Sequence, residues 1–215
     1  MKRPVLITVV IILLAAVAAG VCIYKKANSP FAWKYQKEMA DAFEESDLQS
    51  IEYSGVSEQS GGYKLHFDIQ SDKVTEQMLR DAVKAYSIVD DLSSDSSHPM
   101  HGKDILIDVS ADKGYTEGFL TLRLDDSGLL NVSITNSTVQ DFSCLNDTEC
   151  SSVELTVVHD ELFDPERLFE IKSIAKLSIA DCYDISRDAH KKVMLDEELT
   201  ARLKEKYPGI VIENS

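Results

Sequence analysis

The sequence carries no catalytic or cofactor signature. G-x-S-x-G, H-E-x-x-H and the phosphate-binding loop are all missing, so no common nucleophile, zinc-protease or nucleotide site is written locally in the chain. Its four cysteines, Cys22, Cys144, Cys150 and Cys182, form no C-x-x-C pair, which removes the usual structural zinc frameworks. No aspartate run has calcium-loop spacing. Gly61-Gly62 reads as a turn, too short to cradle a phosphate. Basic residues are scarce: beyond residue 26 there are 18 against all 37 acidic ones, a balance of −19. Nucleic-acid binders neutralise phosphates with Lys and Arg, so no nucleic-acid partner is expected, and no cofactor is implied. The acidic surface favours solubility.

Long apolar runs are also missing, with one exception. Val5 to Tyr24 is uncharged, preceded by Lys2-Arg3 and closed by Lys25-Lys26. Twenty helical residues at about 1.5 Å each span the roughly 30 Å hydrocarbon core, and a helix satisfies its own backbone there. Ala16-Val17-Ala18 offers a signal-peptidase exit, but the run continues past it, which favours a retained anchor. The expected partner of residues 5–24 is therefore the membrane, in a single pass. Lys25, Lys26, Lys34 and Lys37 argue for a cytoplasmic domain. The short charged head argues for a signal-anchor, and long domains translocate largely regardless of charge. The reading adopted places the domain outside the cytoplasm.

Hydrophobic periodicity divides the chain into an anchor (1–26), a juxtamembrane helix or linker (27–47) and an acidic α+β domain (48–215). Ala32, Tyr35, Met39, Ala42 and Phe43 keep near-helical spacing. Alternation then marks strands around Ile51 to Ser54, Tyr63 to Ile69, Ile105 to Val109, Leu120 to Leu124 and Leu130 to Ile134, with turn chemistry at Asp125 to Gly128. Further strands are expected at Val153 to Val157, Ala175 to Ile179 and Ile210 to Ile212. Three helices are expected in the domain: one capped by Asp72 and lined by Val74 to Val89, one opened by Asp164-Pro165, and one opened by Asp196 and ended by Pro208-Gly209. The fold class is thus α+β, a mixed, mainly antiparallel sheet with about three helices behind one transmembrane helix. An alternative comes from Leu130–Ile134, Val153–Val157 and Ala175–Ile179, which start 23 and 22 residues apart, within the leucine-rich-repeat range. Their flanking Leu and Asn positions are irregular, so the alternative is an irregular repeat-like C-terminal part.

Several residues are candidates for chemistry. His98, His101 and Asp104 have donor types suited to a divalent transition metal, although they lie in a polar, loop-like run. Cys144 and Cys150 flank a polar segment and would be allowed to bridge in an oxidising compartment. Asn131, Asn136 and Asn146 head N-x-S/T sequons, which matter only in a eukaryotic secretory pathway. No catalytic set emerges. The expected function is a membrane-anchored, non-enzymatic interaction or sensor domain with a protein partner, set against a membrane-tethered hydrolase or metal-assisted enzyme assembled from distant residues.

Overall fold

A computed structural model describes residues 33–111, 118–125, 127–184, 191–193 and 195–214. The expected membrane segment lies outside them, and among the described residues no helix is long and apolar enough to cross a membrane. The chain divides into two compact units, 1–42 and 43–215. In the first, the described residues belong to helix α1 (Trp33–Glu45), which continues a few residues into the second.

The second unit is built on one eight-stranded sheet, ordered β1 (Glu52–Gln59), β2 (Gly62–Ile69), β3 (Asp104–Ala111), β4 (Phe119–Leu124), β5 (Leu129–Ser137), β6 (Ser152–Asp160), β7 (Ile174–Ala180) and β10 (Val211–Asn214). A short hairpin, β8 (Tyr183–Asp184) with β9 (Lys191–Lys192), stands apart. Antiparallel pairings join β1 to β2, β3 to β4 and β4 to β5. Parallel pairings join β2 to β3, β5 to β6, β6 to β7 and β7 to β10. The α+β class holds, but the sheet is not mainly antiparallel. Alternation reports which residues face the core, and it looks the same in both pairings.

One face of the sheet is the core. Leu65, Phe67, Ile107, Val109, Leu120, Leu122, Leu130, Ile134, Leu155 and Leu177 are wholly buried, each burial stabilising by about 1.5–3 kcal/mol. Helix α2 (Glu76–Ser93) joins parallel β2 and β3 and buries Met78, Leu79, Ala82, Val83, Ala85, Tyr86 and Val89. Thr75, not Asp72, caps it, its hydroxyl accepting from the Met78 N–H at 3.4 Å. Residues 71–73 form a bend instead, and Val74 enters an isolated bridge. Val74 bridges to Ser137, its N–H donates to the Asn136 carbonyl at 3.0 Å, and the Asn136 amide donates to the Asp72 carbonyl.

The 22- and 23-residue spacing is a real stack. Leu130 pairs with Val153, and Leu155 with Leu177. The connections carry 3-10 turns, Ser143–Asp147 and Pro165–Glu170, whose Phe142, Leu145 and Leu168 are fully buried. Asp164 and Pro165 do start a turn, with the Asp164 carboxylate accepting from the Glu166 N–H at 3.0 Å, but it stays a single 3-10 segment. The strands leave the sheet alike. Asn136, His159 and Asp181 have φ of 50, 56 and 51°, and each precedes a wholly buried Ser137, Asp160 or Cys182. Ser137 donates to the Asp160 carboxylate, which also accepts from the N–H groups of Val139 at 3.0 Å and Leu162 at 2.8 Å. Helix α3 (Glu197–Lys206), capped by Asp196 on the Leu199 N–H at 2.8 Å, returns the chain to β10.

Candidate functional site

Helix α2 packs against β3 and β4 on the apolar face, while the other face of the sheet is polar and, among the described residues, half-exposed over its middle strands. Register lines up its side chains in rows across the strands. Thr121 lies opposite Ser133, Ser133 opposite Thr156, and Thr156 opposite Ser178. These four hydroxyls repeat at the interstrand spacing of about 4.8 Å. All four residues are half-buried, and none of the hydroxyls has a hydrogen-bonding partner among the described residues. The next row carries charge: Arg123, Asn131, Glu154 and Lys176 are consecutive register partners. Between the rows lies a hollow of about 350 Å³, lined by Thr121, Arg123, Ser133, Glu154, Thr156 and Lys176.

The cations at this hollow are anchored from outside it. Arg123 donates to Asp104 at 2.7 Å, and Lys176 pairs with Glu213 at 2.9 Å. The hydrogen bond to Glu213 raises the Lys176 pKa above its ordinary value, which keeps it charged. Glu154 forms no hydrogen bond or ion pair among the described residues.

Toward the β1 edge, the hydroxyl row continues into Asp108, opposite Thr121, and His66, opposite Asp108. The His66 Nδ1 lies 3.2 Å from Asp108 Oδ2, and its Nε2 lies 2.9 Å from the Ser57 Oγ. Lys64 also reaches Asp108 Oδ2, at 2.7 Å. No sequence spacing announced this group; it is assembled by register across three strands.

A second hollow, of about 530 Å³, lies among Gln49, Ser50, Ile51, Asp68, Gln70 and Met78. Its turn is already tied inward: the Gln49 and Ser50 N–H groups and the Ser50 hydroxyl donate to the buried Asp81 carboxylate at 2.9, 2.7 and 2.7 Å.

The residues singled out from the sequence are dispersed. The His98 Nδ1 accepts from the Met100 N–H at 3.3 Å, the His101 Nδ1 donates to the Ser93 carbonyl at 2.8 Å, and Asp104 holds Arg123. Among the described residues no three His, Cys, Asp or Glu side chains gather as a metal ion requires. Cys144, Cys150 and Cys182 are free thiols. Burial pushes Cys144 and Cys182 up to about 12, so they stay protonated rather than nucleophilic. The Asn136 amide is buried on the Asp72 carbonyl. Asn146 is spent on the Lys172 N–H at 2.7 Å and the Glu170 carbonyl at 2.9 Å. Asn131 alone of the three stands on the open face. No protein-family model, no curated protein and no solved structure matches this chain.

Proposed function

We propose that the chain is a membrane-tethered recognition domain, outside the cytoplasm, whose binding face is the open side of the sheet and whose ligand is a polyhydroxylated chain such as a glycan segment. The observation that carries the reading is the row Thr121, Ser133, Thr156 and Ser178, four hydroxyls without hydrogen-bonding partners among the described residues, bordering a hollow. A hydroxyl both donates and accepts, so such a row matches a ligand that does the same at a regular interval. Arg123 and Lys176 beside Glu154 give mixed charge, which suits neutral or zwitterionic sugars better than a polyanion. Among the described residues Val211 alone is an exposed large apolar side chain, so the face suits neither a hydrophobic helix nor a lipid tail. The tether rests on the uncharged run Val5 to Tyr24.

The test is calorimetric titration of the full-length chain in detergent micelles with neutral, amino-sugar and uronic oligosaccharides. At least one neutral or amino-sugar oligomer is expected to bind, and Thr156→Val with Ser133→Ala is expected to weaken it at least fivefold. Absence of binding by every oligomer, or binding untouched by the double substitution, would overturn the reading.

A further inference from the structure

We propose that Ser57 is a nucleophile, activated by His66 and oriented through Asp108, and that this end of the open face carries out acyl transfer from carboxylic esters to water. The geometry is a relay: Ser57 Oγ to His66 Nε2 at 2.9 Å, His66 Nδ1 to Asp108 Oδ2 at 3.2 Å. Nucleophile and base within hydrogen-bond reach, with a third group orienting the base, is the arrangement that makes a serine reactive, whatever the fold or chain order.

Local structure explains how the relay forms. The pairing of β1 with β2 shifts register between Tyr53 and Gly55, leaving Ser54 as an extra residue. Bulges of this kind re-aim side chains and recur beside active sites. Here the bulge sets Gly55 opposite His66. Gly55 has φ of 154°, and a Cβ built there meets nothing within 4 Å. No side chain fills that place on the face, so the imidazole is free to lie across to Ser57, diagonally ahead of it.

Asp108 supplies a second, independent observation. Its side chain is only 6% exposed, and His66 and Lys64 both engage Oδ2. Oδ1 is buried with no hydrogen bond among the described residues. A buried carboxylate oxygen left unpaired costs folding free energy, and holding an imidazole in one tautomer is a role that would retain it. With the Nδ1 proton on the Asp108 side, Nε2 is the bare acceptor facing Ser57.

The chemistry balances without a further reactant. The Ser57 oxygen adds to the ester carbonyl while its proton passes to His66 Nε2. The tetrahedral adduct collapses, re-forming the carbonyl and breaking the bond from the acyl carbon to the alkoxy oxygen, which takes that proton from His66 and leaves as the alcohol. Water, losing a proton to the same nitrogen, then adds to the acyl carbon; the acyl–Oγ bond breaks, the acid departs, and His66 returns the proton to Ser57 Oγ. Lys64 lies directly opposite Ser57 in register, with its ammonium paired to Asp108 Oδ2. Leu106 and Thr121, at the near end of the hollow, are the register partners of Lys64 and Asp108, so the alcohol portion of the ester has a place to lie. That last assignment rests on the recognition reading; the reactivity of Ser57 does not.

The experiment uses the full-length chain in detergent micelles with an alkyl fluorophosphonate probe, labelled peptides being mapped by mass spectrometry, alongside release of p-nitrophenol from its acetate ester between pH 5 and 9. The probe is expected to mark Ser57 ahead of other serines. Ester turnover is expected to vanish in Ser57→Ala and to fall about 100-fold or more in His66→Gln, the scale of general-base catalysis. Asp108→Asn should change the pH profile as well as the rate, which a purely structural role would not do. Labelling spread evenly over surface serines, or Ser57 labelling unchanged in His66→Gln, would overturn the proposal. Oligosaccharide binding retained by Ser57→Ala separates the two readings, because loss of labelling then leaves recognition standing, and loss of binding leaves the nucleophile standing.

Discussion

Asp160 shows how much one side chain is asked to do in this fold. Its carboxylate collects the Ser137 hydroxyl and two backbone N–H groups at the point where β5 and β6 leave the sheet. Burial is the largest influence on it and pushes its pKa above the ordinary aspartate value. It therefore binds its proton more tightly folded than unfolded. That contribution is complete below about pH 4 and is lost as pH rises through the raised value. Asp160→Asn cannot titrate, so the fall in Tm that accompanies rising pH above about 4 should flatten. It should also lower stability throughout by about 1–3 kcal/mol, since one amide oxygen cannot serve all three donors. Thermal melts of both chains from pH 4 to 8 decide it; parallel curves would mean Asp160 does not set the slope. Tyr207 makes a simpler case. Its hydroxyl lies 2.6 Å from the Leu168 carbonyl and 2.7 Å from that of Ile171, and burial pushes it up to about 12. Tyr207→Phe is expected to cost about 1–2 kcal/mol in denaturant unfolding.

Among the elements, the hairpin of β4 and β5 was the easiest to read in advance. Leu120, Leu122, Leu130, Val132 and Ile134 all face the core, and the Asp125 carboxylate accepts from the Ser127 and Leu129 N–H groups at 2.9 and 3.0 Å. Leu122→Asp, an unpaired carboxylate at a wholly buried site, is expected to cost several kcal/mol and unfold the domain. Arg123→Met, on the half-exposed open face, loses one ion pair and should cost under about 1 kcal/mol. Equal melting temperatures would reverse the assignment of faces. The parallel stack was harder. Its repeat is not kept in leucine positions but in backbone shape: Asn136, His159 and Asp181 hold left-handed φ, and Asn, Asp and His are the non-glycine residues most often found there. That signal was present, dispersed over three residue types. The Ser57–His66–Asp108 group was illegible, because register and a bulge create it and neither leaves a spacing in the chain. The start of β2 has its own constraint: a Cβ on Gly62 would collide with the Asp104 carbonyl oxygen. Gly62→Ala should force β2 and β3 apart at that end and lower stability by about 1–3 kcal/mol, measurable by chemical denaturation.

At the scale of the whole molecule, the apolar run Val5 to Tyr24 leads to the expectation that the full chain resists alkaline wash of membranes and dissolves only in detergent. Recovery of the intact chain, Met1 included, in the soluble fraction would sink the tether. Strand order in the sheet follows chain order from β1 to β7, with β10 last. Among the described residues no strand inserts between two made earlier, so each has its neighbour waiting when it is synthesised. Such local wiring lowers contact order and favours fast folding for a sheet of this width. It also suits synthesis from the N-terminus, in which the sheet can zip up strand by strand, one unpaired edge at a time, without a half-built sheet held open for a late arrival.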